Sequence, residues 1–360
     1  MEIALSEFYC ARALGAGNGE VWRNLCRGEA GGMKEIGGDI PGRKIWFGAV
    51  ETPLPPDEKP FLDIRTNALV ELAISGMPYL GELKKKYPLD RIGVVLGAST
   101  TGMDEAQRQV DEWLEKGAAP DAFDPSMIEL GTPALYLKAR LGVAGPAYTV
   151  STACSSSTKT FAAARRLISS GLCDAVVTGG VDSRCRFAMN GFHALGALSE
   201  GRCRPLAEDR DGINLGEGVA IFAVERAELS PGKVVVKGVG ESSDAYHATA
   251  PDPEGRGAEA AMRLALADAG MQPGDVDYVN LHGTGTFAND AMELKAVERV
   301  FGSVRYESIK NLTGHCLGAA GAVEAAICAL RIENGDVRAA LSNSFAFGGS
   351  NASVVLGVRG

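Results

Sequence analysis

YTVSTACSSSTKTFAAARRLISSGLCDAVVTGG, residues 148–180, reads as a strand, a turn of small residues holding Cys154, an Ala-rich helix ending near Gly, and a strand closing on a Gly pair. SIKNLTGHCLGAAGAVEAAICALRIENGDVRAALSNSFAFGG, residues 308–349, runs through the same order, with His315 standing where the first stretch has Cys154. That internal similarity marks a duplicated α/β unit. Both helices carry Ala on more than one face, AAARR and AAGAVEAAI, so they suit burial between sheets with close backbone approach. Ala is also simply a strong helix former, which is the plainer reading of the same runs. The expected architecture is α/β, a layered α/β/α/β/α sandwich of two duplicated halves, residues 1–230 with the cysteine and residues 231–360 with two histidines.

Working outward, further strands are expected at 44–50, 92–98, 218–225, 233–239, 276–281 and 352–356, and the Gly residues that end many of these apolar runs fit tight turns into helices. Helical spacing covers LVELAISGMPYLGELKKKY before Pro88, and Met103 to Lys116. Strands alternating with helices imply mainly parallel sheets covered on both faces. Pro, Gly and charge content predict loops at 51–60 and 199–214.

Composition excludes several classes. The 360 residues are 46% hydrophobic, enough for a large core, and 45 acidic against 36 basic residues give a net charge of −9. With no Lys/Arg-rich block, nothing offers a nucleic acid an electrostatic footprint. No apolar run approaches the roughly 18 residues of a membrane span, and Glu2 and Glu7 occupy the region where a signal peptide carries positive charge, so the expected location is cytoplasmic. Eight cysteines without a CxxC pair fit neither a disulfide scaffold nor a zinc ribbon, and no metal site is expected.

Cys154 lies directly after a strand and at the start of a helix, where free backbone N–H groups and the helix dipole favour a thiolate; it is read as the only cysteine so placed. His282, in YVNLHGTGTFAND, ends a strand and enters a Gly-rich turn, the place where open α/β sheets present functional groups. His315 sits in the equivalent turn of the second repeat, and pseudo-symmetry brings the two helix starts together. His193 and His247 lack such a context and read as structural.

The motifs TACSSS, HGTGT, KNLTGHCLGAAG and NSFAFGGSN, with DRDGINLGEG and SDAYHATAPD, resemble the set of the elongating β-ketoacyl-acyl carrier protein synthases, Cys-His-His condensing enzymes of the thiolase-like superfamily. The resemblance runs in order along nearly the whole chain. It implies that Cys154 takes an acyl group from a carrier protein's phosphopantetheine arm. It also implies that the N–H groups of Cys154 and Phe347 form an oxyanion hole, with Phe347 the gating ring on a loop continuing through Gly348 and Gly349. His282 and His315 would steady the enolate left when malonyl carrier protein loses carbon dioxide, and Lys310 and Glu324 match a buried charged pair. Thr284 and Thr286 match pantetheine-binding hydroxyls, and Thr100 and Phe192 align with acyl-pocket positions. No cofactor is implied beyond the carrier's arm. The implied partners are acyl carrier protein and a second subunit paired through the strand before Cys154, either a copy or a related ketosynthase-like chain.

Two departures stand out. The gating loop usually reads Gly-Phe-Gly-Gly but here reads Ala346-Phe347-Gly348-Gly349, restricting a position that ordinarily has access to positive φ. Basic residues to meet an acidic carrier are sparse, with Arg65, Arg202 and Arg204 the candidates. A thiolase would carry a second catalytic Cys near the C-terminus and a starter-unit synthase an Asn at the position of His315; neither pattern is present. The remaining alternative is a chain-length-factor-like partner subunit, whose class normally lacks the nucleophilic Cys.

Overall fold

The computed structural model describes residues 1–55, 64–120 and 124–360. Part of the loop expected at 51–60 therefore lies outside the described residues. The rest forms a large mixed sheet with helices on its faces and a small three-stranded sheet built from Met33–Ile40, Arg43–Gly48 and Leu215–Gly216.

The duplication is visible in the strand pairings. In the first half, Ile92–Gly97 pairs in parallel with Ala147–Val150 and with Ala175–Asp182, which pairs antiparallel with Gly218–Arg226, which pairs antiparallel with Ile3–Arg12. In the second half, Tyr278–Asn280 pairs in parallel with Arg305–Glu307 and Ala339–Ala346, then antiparallel pairings lead through Ser350–Val358 to Val234–Ser243. Numbered along the chain, both halves have the spatial order 3-2-4-5-1. Their first strands meet antiparallel, Ile3 opposite Val236 and Leu5 opposite Val234, and join the halves into one sheet.

Helices Ser156–Ser169 and Ala320–Glu333 lie between the halves, and each contacts strands of both. Their backbones approach as closely as the small residues permit. A Cβ at Gly321 would fall 1.9 Å from Thr158 Oγ1, and the Ala322 N–H donates to Ser157 Oγ at 2.9 Å. Arg65–Ser75 and Thr132–Leu141 cover the outer face of the first half; Arg256–Ala269 packs on the second, with Phe287–Phe301 beside it. The layers are those of the thiolase-like sandwich expected from the sequence.

Several elements differ from the sequence reading: the strands Met33–Ile40 and Arg305–Glu307 were not expected, and two others show why. The long helix before Pro88 is two helices, Arg65–Ser75 and Tyr79–Lys86. Pro78 has no N–H to continue the first, and Gly76 is pressed against Tyr9, whose ring lies 2.4 Å from where a Cβ would stand. The central strand Ile3–Arg12 was not expected, because Ser6 and Glu7 interrupt its apolar pattern at a bulge between Leu5 and Glu7.

Candidate functional site

Cys154 follows the strand Ala147–Val150 and precedes the helix Ser156–Ser169. The turn between them is held by Ala153 at φ 52°, a left-handed conformation that a residue with a Cβ adopts at a cost. His315 Nε2 stands 2.9 Å from Cys154 Sγ. The His282 and His315 rings meet edge-on, with centroids 5.3 Å apart at 83°, and a ligating atom from each of the three residues lies within 4.8 Å of the others. All three are buried.

Burial decides the resting protonation. It pushes the Cys154 thiol up to about 12, more than the opposing Lys310 charge can offset. Burial, reinforced by Lys310, holds both imidazoles well below the usual histidine range. The resting site is therefore a thiol beside neutral imidazoles, with Cys154 Sγ and His315 Nε2 in hydrogen-bond contact and the His315 tautomer deciding which of them donates. The helix dipole expected from sequence to favour a thiolate is outweighed by desolvation. Cys154 is also not alone at a helix start, because Cys185 stands at the N-cap position of Arg186–Ala194 and lines a cavity beside Cys154.

Behind the site, Lys310 Nζ donates to the His282 carbonyl oxygen and to Glu324, both members of the pair being almost fully buried. His282 is fixed from its other side by Glu293, a residue the motifs did not single out. Its carboxylate accepts the backbone N–H groups of His282 and Gly283 at 2.8 and 2.7 Å and Asn343 Nδ2 at 3.1 Å. Burial raises its pKa to about 7. Glu293 lies on the buried face of Phe287–Phe301, which also carries Asn289 and Asp290, so no apolar stripe singled it out in the sequence. Asp182, also missed, is taken up below.

Two cavities open from Cys154. The first, about 210 Å³, is lined by Cys154, both histidines, Thr284, Thr286 and Phe347. The second, about 190 Å³, runs from Cys154 between Ser99, Thr100, Met103, Cys185 and Leu317. Phe192 and Phe347 line both, their rings stacked 5.5 Å apart at 22°. The structure thus brings Thr284 and Thr286 to one side of the thiol and Thr100 to the other, with Phe192 on the partition. Thr286 Oγ1 also caps Phe287–Phe301 by accepting the Asn289 N–H at 3.3 Å.

The Phe347 N–H favours the thiolate of Cys154, but by less than burial disfavours it. Ala346 has an ordinary extended backbone, φ −109° and ψ 157°, while Gly348 and Gly349 take the left-handed turns at 79° and 73°. The loop is tied down by the Gly348 N–H donating to the Ala248 carbonyl at 2.7 Å and the Asp244 N–H donating to the Gly349 carbonyl at 2.8 Å.

His193 and His247 play local parts, the first beside Arg43 and the second accepting the Thr249 N–H in its own loop. Of the three candidate docking cations, Arg65 is committed to Glu217 and lines a separate cavity, Arg204 pairs with Asp209, and Arg202 donates to the Asn311 carbonyl. Among the described residues no helix is long and apolar enough to cross a membrane.

Comparison with known proteins matches residues 8–230 to the β-ketoacyl synthase N-terminal domain and residues 234–343 to the β-ketoacyl synthase C-terminal domain. The chain is 35% identical over 311 residues to 3-oxoacyl-[acyl-carrier-protein] synthase 2 of Staphylococcus aureus, covering 74% of this chain and 77% of that one. A solved structure of a ketosynthase in complex with its chain length factor from Xenorhabdus doucetiae superposes with a TM-score of 0.95 at 38% identity, over 99% of this chain and 98% of the other. The ishigamide ketosynthase/chain length factor structure gives 0.88 at 29% identity, over 100% and 99%.

Proposed function

We propose, from the premise that this chain belongs to the β-ketoacyl synthase family, that it joins an acyl group to malonyl carrier protein by decarboxylative Claisen condensation in fatty-acid, polyene or polyketide synthesis. One observation carries the reading: a thiol 2.9 Å from a neutral imidazole, with a second imidazole beside it and a cavity on either side.

In the first half-reaction the Cys154 sulfur attacks an acyl thioester as its proton moves to His315 Nε2. The tetrahedral oxygen takes the N–H groups of Cys154 and Phe347, each donor of this kind being worth about 3 kcal/mol. The carrier's thiol leaves with the proton from His315, and the acyl chain occupies the second cavity. Malonyl carrier protein then enters the first cavity, where Thr284 and Thr286 face its arm. The bond to the carboxylate breaks, carbon dioxide departs, and the electron pair remains as an enolate whose oxygen takes Nε2–H from His282 and His315. The enolate carbon attacks the acyl carbonyl, the β-ketoacyl product stays on the carrier, and a proton taken up through His315 restores the thiol.

His315 must accept a proton in one half-reaction and donate one in the other. Neither Nδ1 has a hydrogen-bond partner among the described residues, so no protein group pins the tautomer. Lys310 and Glu324 set the electrostatics behind both rings. No cofactor is assigned beyond the carrier's phosphopantetheine.

The proposed partners are acyl carrier protein and a second subunit. Likeness to structures of ketosynthases with chain length factors supports a related chain as that subunit, and Cys154 favours the catalytic role for this one. The compartment proposed is the cytoplasm, where reducing conditions keep thiols such as Cys154 free. Intact mass after incubation with a panel of acyl carrier proteins tests the reading: one acyl group should load, on Cys154, and none on Cys154→Ala.

A further inference from the structure

Asp182 ends the strand Ala175–Asp182 and is fully buried. Its two oxygens accept four hydrogen bonds from two consecutive residues: the Ser99 N–H and Oγ–H, both at 2.8 Å, and the Thr100 N–H and Oγ1–H, both at 2.7 Å. No cation is paired with it among the described residues. Charge-assisted bonds of this kind are about twice as strong as neutral ones, so the carboxylate clamps a two-residue turn rather than neutralising a charge.

That turn is strained where it continues. Thr101 has φ 46°, an outlier for a β-branched residue, and such a conformation persists only when its surroundings impose it. A second strained turn touches the same carboxylate. Leu317 has φ 49°, the Gly318 N–H donates to Ser99 Oγ at 3.3 Å, and a Cβ at Gly318 would lie 2.7 Å from Asp182 Oδ2. Ser99, Thr100 and Leu317 all line the second cavity beside Cys154. One buried carboxylate therefore holds two of the walls that an acyl chain on the nucleophile meets.

Resting on the assignment of the second cavity to the acyl chain, we propose that Asp182 is a positioning residue for the acyl substrate, setting the shape of that cavity through the Ser99–Thr100 and Leu317–Gly318 turns. It touches neither the histidines nor the first cavity, so its effect belongs to acyl loading and chain-length choice rather than to decarboxylation.

The test compares acyl loading with carbon dioxide release in the full-length protein. Acyl carrier proteins charged with acetyl, octanoyl and palmitoyl groups report loading by intact mass, and malonyl carrier protein reports decarboxylation. In Asp182→Asn, one acceptor oxygen becomes a donor facing donors, and the ratio of octanoyl loading to decarboxylation should fall about tenfold or more, with the preference among chain lengths flattened. Ser99→Ala/Thr100→Val keeps the carboxylate and both N–H donors but removes both hydroxyls; it should move the ratio the same way by a smaller factor, and it decides the matter if Asp182→Asn does not fold. A folded Asp182→Asn, or failing that a folded Ser99→Ala/Thr100→Val, with the wild-type ratio and chain-length profile overturns the inference. A wild type that neither loads acyl groups nor releases carbon dioxide overturns the functional reading, and this one with it.

Discussion

Lys310→Met offers a sharp perturbation because both members of its pair are sealed from water, at 1% and 2% exposure. Removing the cation leaves Glu324 buried without its partner, a loss of about 3–5 kcal/mol, and strips a donor from the His282 carbonyl, about 1–3 kcal/mol more. Against a typical total of about 5–15 kcal/mol the variant sits close to unfolding. Burial already raises the Glu324 pKa, and losing Lys310 raises it further. The folded variant then binds a proton that the unfolded chain does not hold above its ordinary carboxylate range, so its stability declines as pH rises from about 4.5 through the folded-state value. Lys310→Met/Glu324→Leu removes both charges at similar volume and should recover most of the stability. It should not recover wild-type chemistry. Lys310 is one cause of the depressed histidine pKa values, so without it the imidazoles titrate nearer 6.5 and the acid limb of decarboxylation shifts to higher pH. Urea unfolding at several pH values and carbon dioxide release against pH read the two effects separately. Equal stability of the single and double variants, or a wild-type pH profile in the double, refutes the reasoning.

Cys154→Gln should keep or raise malonyl decarboxylation while abolishing condensation, since its amide imitates the acyl thioester and no covalent acyl group can form; adding His315→Ala should then suppress carbon dioxide release. An inert Cys154→Gln alongside an active wild type breaks the proposed division of labour. Zinc should inhibit reversibly, because the Cys154, His282 and His315 ligating atoms within 4.8 Å suit a tetrahedral ion with one open position; chelation should restore loading, and Cys154→Ala should weaken zinc binding measured by calorimetry. Glu293→Gln removes a carboxyl whose pKa is raised to about 7, a group that costs the folded state progressively as pH climbs from about 4.5 to 7; the stability of the variant relative to wild type should therefore rise over that window and level off above it, as chemical denaturation reads. Ala346→Gly should speed exchange between the half-reactions by giving the loop access to positive φ, and unchanged rates of both half-reactions refute that reading of the gate.

The repeat at 148–180 and 308–349 carried the architecture because its information is local: small residues at turns, Ala where helices must touch, and Gly where a backbone passes. The same locality explains what was hidden. Ile3–Arg12 joins the two halves, yet a bulge and two polar residues erase its period. The helix before Pro88 needed the position of Tyr9 to show why Gly76 is a break rather than a tolerated glycine.

At the site, Cys154, His282 and His315 were legible because each stands in a turn whose purpose is to expose a side chain. Asp182 and Glu293 were not, because each acts through backbone N–H groups: those of a segment eighty-odd residues away for Asp182, and for Glu293 those of the turn ten and eleven residues before it, which only the fold brings onto its carboxylate. Protonation was the least legible property of all. A helix start favours a thiolate by a fraction of the macrodipole's charge, about half a unit, whereas full burial penalises the whole charge of the sulfur. The sequence shows the first of these effects and only the packed structure shows the second, which is why burial rather than the helix start sets the protonation of Cys154.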